Sequence, residues 1–261
     1  MDLNLTGKTA LVTGSTAGIG LAIAERLAQE GAEVIICGRN QAKLDAAAER
    51  IGKLGKVRAV LADPGTAEGA ATLIAAVPDA DILINNLGIY EAKPFTEISD
   101  ADWHHLFEVN VVSGARLARH YFPKMLAKDW GRIIFIASES ALMIPEEMVH
   151  YGTTKTAQLA IARGLAVQTK GTGVTVNSVL PGPTRSEGIV DFIRSTAKDK
   201  SLSDEDLGKG FVQTARPSSL IGRLTEPEEI GNIVAFLASP LASVTNGAAI
   251  RAEGGIVPTV A

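Results

Sequence analysis

The sequence predicts an α/β fold, a doubly wound parallel sheet flanked by helices in a single domain. Three observations carry this. Short apolar runs rich in β-branched residues alternate with longer segments of helical period, a glycine-rich turn follows the first run, and no linker or internal repeat divides the 261 residues. Such alternation means βαβ units, and strands buried on both faces read as unbroken apolar runs.

The expected strands are KTALVT, EVIIC, VRAVL, DILIN, RIIFIA, VTVNSVL and AAIRA. After the first, IGLAIAERLAQEG puts Ile19, Ile23 and Leu27 on one helical face and stops at Gly31. Ser99 and Asp102 open a long helix that runs through Asn110 to Met125, and a second long helix spans 149–170. In the last helix Thr225 is the expected N-cap and Pro227 lies in the first turn. Segment 184–220 is the irregular part, polar and broken, with isolated Ile189, Phe192, Ile193, Leu202, Leu207 and Phe211. We expect it to be a substrate lid at the sheet's C-terminal edge, where open α/β proteins bind ligands.

Composition narrows the function classes. With 46% hydrophobic and 21% charged residues the chain has ample material for a core. The net charge of -4 is interspersed, which argues against nucleic-acid or anionic-membrane partners. Small molecules and further copies of the chain remain. The single cysteine, Cys37, forms no intrachain disulfide, and no Cys/His cluster has zinc-ligand spacing, so no metal is expected. The N-terminus has no basic segment before an apolar run, and no apolar stretch is long enough to span a bilayer. A cytoplasmic, reducing environment is the expectation.

The turn after the first strand reads TGSTAGIG, with Gly14, Gly18 and Gly20 opening a helix and Ser15, Thr16 and Ile19 between them. Glycines there allow a tight turn and let backbone N–H groups approach a pyrophosphate at the helix N-terminus. The plainer alternative is close helix–strand packing alone; the strand–turn–helix context favours dinucleotide binding and a Rossmann-type fold. Where an NAD-binding chain places an acidic residue after the second strand, this one has CGRN. Arg39 can grip a 2′-phosphate and Asn40 adds a donor beside it, which favours NADP(H), with NAD(H) as the alternative. A solvated surface arginine is the competing reading.

In HYGTTKTAQ, Tyr151 and Lys155 stand four residues apart on an expected helix, so their heads share one face. Taken alone, the pair reads as a packed ring beside a solvated ammonium. The wider pattern changes that reading. TGSTAGIG, NNLG at 85–88, Asn110, Ser138 after the fifth strand, YGTTK and NSVLPG together resemble the typical branch of the short-chain dehydrogenase/reductase family, over about Leu5 to Gly255. The layout is similar to that of 3-oxoacyl reductases.

The resemblance implies that Tyr151 is the acid/base, that Lys155 lowers its pKa and binds the nicotinamide ribose, that Ser138 holds the substrate oxygen, and that Asn110 supports a proton-relay water. It places Asp63 against the adenine, Asn86 and Gly88 beside the cofactor, Pro181 and Gly182 under it, and Thr184 and Ser186 at its carboxamide. Asp63 could equally start a turn before Pro64, Ser138 could be a strand-end cap, and Asn110 a buried polar residue. Leu87 replaces a more usual alanine and puts extra volume at the cofactor. Expected cleft walls are Leu87, Tyr90, Ser140, Met143, Ile144, Met148 and His150 together with the lid.

The chain is thus expected to be an NADP(H)-dependent oxidoreductase acting on a small carbonyl or secondary-alcohol substrate, and a homotetramer through its two long helices. Two alternatives stand beside it. One is a 3-oxoacyl thioester reductase, disfavoured because Asp129 and Thr172 stand where carrier-dependent members commonly present arginine. The other is a non-catalytic NADP-binding sensor or scaffold.

Overall fold

Seven strands, β1 (Thr9–Val12), β2 (Glu33–Gly38), β3 (Val57–Leu61), β4 (Ile82–Asn85), β5 (Gly131–Ile136), β6 (Val174–Pro181) and β7 (Ala249–Ala252), form one parallel sheet in the order β3-β2-β1-β4-β5-β6-β7. The computed structural model describes residues 1–196 and 202–260; the part of the expected lid at 197–201 lies outside the described residues. The chain leaves β1 toward one edge and returns to β4 on the other side, so a crevice opens between β1 and β4 at their C-terminal ends.

Helices cover both faces: α1 (Gly18–Gln29), α2 (Gln41–Gly52) and α9 (Pro227–Ala238) on one, α3 (Ala67–Ala76), α5 (Ser113–Ala127) and α6 (Val149–Val167) on the other. Strand alternation distributes the core between them. Val34 and Ile36 of β2 join Ile23, Leu27, Leu44 and Val234, whereas Ile35 and Cys37 join Leu73, Leu117, Tyr121 and Phe135. Full burial of each such aliphatic side chain contributes about 1.5–3 kcal/mol. The edge strand β3 departs from the expected two-sided burial, with Leu61 51% exposed, because only one neighbour pairs with it.

Three expectations change in detail. The long helix from Ser99 is not continuous: α4 (Asp100–Phe107) passes through a π-turn, Glu108–Val112, into α5, and Asn110 lies within that turn. Its start is as read, with Ser99 and Asp102 forming a capping box. Thr225 does not cap α9; Glu226 does, in a box with Glu229, while Thr225 forms a bridge to Thr184. The segment read as irregular contains two helices, α7 (Glu187–Thr196) and α8 (Asp204–Ala215). Each has helical spacing, Ile189, Phe192 and Ile193 in α7 and Leu207, Phe211 and Val212 in α8, but over runs too short to stand out from the polar residues around them. Ile193, Leu207, Val212 and Leu224, backed by Ile189, Phe192 and Phe211, make a small separate core under them. Among the described residues no helix is long and apolar enough to cross a membrane.

Candidate active site

Each of the first six strands delivers residues to the crevice from its C-terminal end: Gly14 after β1, Arg39 after β2, Asp63 after β3, Asn86 and Gly88 after β4, Ser138 after β5, and Pro181 to Thr184 at the end of β6. The glycine turn is shaped by close approach. A β-carbon on Gly20 would lie 2.2 Å from the Gly14 carbonyl oxygen, and Gly14 and Gly18 have φ of +60° and +53°. Helix α1 begins after Ala17 with no side-chain cap and no acidic residue in its first turn, so its amides remain for an anion. This cradle fits a dinucleotide pyrophosphate.

The side chains around it divide their work. Ser15 is fully buried; its hydroxyl donates to Val12 O at 2.8 Å and accepts from Cys37 N at 3.1 Å, tying β1 to β2. With its hydroxyl so engaged, Ser15 has its backbone to offer a ligand, as the glycine turn around it does. Thr16 lies against Gly38, and Ile19 lines the cleft. Asn86 donates to the Thr13 and Gly14 carbonyls at 2.9 and 3.1 Å, so it braces the glycine turn. Burial pushes the neighbouring Cys37 thiol up to about 12, which leaves it inert.

On the adenosine side, Arg39 is 83% exposed, and its Nη1 lies 3.7 Å from Asp63 Oδ2. The loop holding Arg39 has no acid of its own, but the next strand supplies one. Asp63 also accepts from Gly65 N at 3.0 Å, as a residue that starts a turn does. Asn40 spends its oxygen as the N-cap of α2, accepting from Lys43 N, which leaves its amide nitrogen as the donor. The extra volume of Leu87 is taken up by glycine. The Leu87 methyl lies 3.5 Å from where a β-carbon on Gly65 would stand, away from the Gly14 turn.

At the other end of the crevice a cleft of about 220 Å³ is lined by Ser138, Glu139, Tyr151, Met148, Phe192 and Arg216, among others. Tyr90, Ser140 and Met148 are there as expected, whereas Leu87, Met143, Ile144 and His150 do not line it. His150 is fully buried, its ring edge-on to Trp103 and its Nε2 3.8 Å from Glu91. Pro181, Gly182, Thr184 and Ser186 form the cleft floor beside Ile19, and the Ser186 Cβ comes 3.2 Å from a β-carbon placed on Gly18. The Thr184 hydroxyl donates to Gly182 O at 2.9 Å, and Ser186 accepts from Ile189 N at 3.3 Å.

Helix α6 brings Tyr151 and Lys155 together, the ammonium 5.7 Å from the phenol ring centre. Lys155 donates to Ile136 O at 2.9 Å, and burial lowers its pKa to about 8 against the opposing pull of Glu139. Tyr151 is held above its ordinary range by burial first and by the Glu139 carboxylate second; Ser138 and Arg216 pull the other way. The lowered phenol pKa that the resemblance implies is thus not the condition of the protein alone. Asn110 donates to Ile89 O and Thr154 Oγ1 and accepts from Ile89 N, fixing the loop that carries Gly88 over Lys155.

Sequence reading missed three residues. Gln158 donates to the Asn110 backbone carbonyl, and its Oε1 is 3.4 Å from Lys155 Nζ. Glu139 accepts the Ser138 hydrogen, and Arg216 Nε donates to Glu139 at 3.0 Å from the end of α8. Gln158 stood visible one turn after Lys155 and Glu139 directly after Ser138; Arg216 carried no local signal.

Comparison with known proteins agrees with this arrangement. The profile described as short chain dehydrogenase matches residues 8–196. The chain is 50% identical to the uncharacterized oxidoreductase YvaG of Bacillus subtilis strain 168, with 100% of both proteins covered. It is 35% identical to the 3-oxoacyl-[acyl-carrier-protein] reductase FabG of Aquifex aeolicus, covering 98% of this chain and 100% of the other. The structure of L-sorbose reductase from Gluconobacter frateurii, complexed with NADPH and L-sorbose, superposes with a TM-score of 0.92 at 32% identity, covering 100% of both chains. The chain belongs to the short-chain dehydrogenase/reductase family and is an NAD(P)-dependent oxidoreductase acting between CH–OH and C=O.

Proposed function

We propose that this oxidoreductase prefers NADP(H) and acts on the carbonyl or secondary alcohol of a free small molecule, with Tyr151 as acid/base. The observation that carries the reading is the meeting of Ser138 and Tyr151 in one cleft, with the buried Lys155 ammonium 5.7 Å from the phenol ring centre. The cofactor, when bound, supplies or accepts the hydride. Tyr151, held above its ordinary range, keeps its proton at neutral pH and is a phenol ready to donate as an oxyanion develops. Lys155, with a pKa near 8, is mostly charged there and stabilises the phenolate left behind. Asn110 and Gln158 hold the surroundings of Lys155 in place.

Arg39 supports NADP(H), as does the likeness to a reductase solved with NADPH. The cleft carries the carboxylates Glu139 and Glu147, and its one arginine, Arg216, is already paired. That favours neutral substrates over anionic ones. Asp129 accepts from Gly173 N at 2.8 Å and Thr172 donates to Thr169 O at 2.8 Å, so neither presents a basic group to a carrier protein. Helices α7 and α8 roof the cleft through Phe192 and Phe211 and act as the lid. The outer faces of α5 and α6 share an apolar hollow lined by Ala115, Ala118, Phe122, Ile161 and Leu165, which a second copy covers in a homotetramer. Light scattering at micromolar concentration tests the assembly, and a monomeric mass contradicts it.

A panel of neutral ketones, aldehydes and secondary alcohols, followed by nicotinamide absorbance with NADPH or NADP+, tests the activity. Cofactor binding without turnover on any member would instead support the sensor or scaffold reading.

A further inference from the structure

The end of the lid reaches the serine of the cleft. Helix α8 stops at Ala215, and the next residue, Arg216, turns inward: its Nε donates to Glu139 Oε1 at 3.0 Å, and the two side chains are only 12% and 4% exposed. The other oxygen of that carboxyl group accepts from the Ser138 hydroxyl. Ser138 is in turn the hydrogen-bond partner of the Tyr151 phenol. A continuous line of bonds thus runs from Arg216 through Glu139 to Ser138 and Tyr151, although 77 positions separate its first two members.

Arg216 is well seated for this. Its backbone N donates to Val212 O at 2.8 Å, and its Nη1 donates to Ala215 O at 2.8 Å. Just beyond it the chain rejoins the body of the fold, where the Ser218 hydroxyl donates to Ile256 O at 2.6 Å and Leu220 N to Gly254 O at 2.8 Å. Glu139 is the movable link, a long side chain behind Ser138. Without Arg216 it regains rotamer freedom and leaves a buried carboxyl oxygen without its donor. The serine hydroxyl that leans on it then loses its fixed place, and a reacting group displaced by a fraction of an ångström loses rate.

We propose that Arg216 is a positioning residue: by holding Glu139 it fixes the Ser138 hydroxyl beside Tyr151, so that the point where the lid rejoins the fold also sets the catalytic pair. The inference rests on the hydride-transfer reading above. Ser138 and Tyr151 meet the reacting oxygen. Arg216 passes no proton and acts through Glu139 on where Ser138 stands. The hydrogen bond to Nε carries this role, so a neutral donor at the same place serves it as well.

A double-mutant cycle between Arg216 and Ser138 tests this, read as single-turnover reduction of diacetyl, or of the panel member reduced fastest, by bound NADPH. Arg216→Met in otherwise wild-type protein should slow hydride transfer by about tenfold or more. In the Ser138→Ala background, where no hydroxyl remains to be placed, the same change should cost less than about threefold. An arginine that only stabilises the lid would cost the same factor in both backgrounds. Arg216→Gln puts an amide nitrogen where Nε stands, since both atoms follow Cδ, and should stay within about threefold of wild type. Glu139→Ala breaks the same line at its middle and supplies the cycle where Arg216→Met folds poorly. Equal factors in the two backgrounds, or a loss in Arg216→Gln as large as in Arg216→Met, overturn the proposal while leaving hydride transfer standing. No reduction of diacetyl or of any panel member overturns the hydride-transfer reading and this inference with it.

Discussion

Gln158 donates its side-chain amide to the backbone carbonyl of Asn110, and the oxygen of the same amide lies 3.4 Å from the Lys155 ammonium. The π-turn at Glu108–Val112 places that carbonyl where a side chain from α6 can reach it. Gln158 is 1% exposed, so leucine of similar volume would strand a buried carbonyl and remove one partner of Lys155. We expect Gln158→Leu to lose about 1–3 kcal/mol of unfolding free energy, from the cost of a buried unsatisfied polar group. Urea unfolding measures this, and an unchanged midpoint would mean that water replaces the amide at no cost.

Removing only the Tyr151 hydroxyl tests the acid. The ring packs edge-on against Tyr90 at 6.2 Å between centres, and phenylalanine preserves that contact. Tyr151→Phe should keep the fold and bind NADPH with little change, while turnover falls by about 10²–10⁴, the range for loss of a general acid. Turnover within a few-fold of wild type would show that another group delivers the proton.

Lys155 should leave a mark on the pH dependence of stability. Its pKa is about 8 in the folded protein against an ordinary 10.5, so between those values the unfolded chain holds more protons than the native one. Stability therefore rises with pH across this window, and the burial penalty is full below it. Lys155→Met lacks the titration. The difference in unfolding free energy between wild type and variant should move in favour of the wild type by about 1–2 kcal/mol from pH ~7.5 to ~9.5. A flat difference would place the folded pKa near its ordinary value.

The sheet and the cradle were legible because both rest on local patterns. Strand runs such as DILIN are apolar on both faces wherever they fall, and Gly14 and Gly20 are demanded by a turn only a few residues long. Tyr151 and Lys155 were legible for the same reason, being one helical turn apart. What stayed hidden depends on distant parts of the chain. Arg216 reaches Glu139 across 77 positions, and Asp63 approaches Arg39 only because β3 pairs with β2. The helices α7 and α8 stayed hidden for another reason: each has an apolar face, but it is only ten or twelve residues long and set between polar runs.

The meeting of Arg39 with Asp63 bears directly on cofactor choice. Arg39 stands after β2, where the 2′-position of an adenosine ribose is met in this fold, and its charge favours a phosphate there. Two features limit the gain: the side chain is 83% exposed, and Asp63 at 3.7 Å competes for the guanidinium. Solvent screening then puts the preference at the low end of charge-assisted bonds, about tenfold in affinity for NADPH over NADH at low salt. It should shrink as salt rises, because the contact is open to counterions. Arg39→Asp would set two carboxylates beside the 2′-position, repelling phosphate and accepting from a ribose hydroxyl, so the preference should invert. Dissociation constants of both reduced cofactors, measured by fluorescence for wild type and variant at two salt concentrations, decide the matter. If wild-type protein binds NADH as tightly as NADPH at low salt, Arg39 is a solvated surface residue and the NADP(H) preference falls.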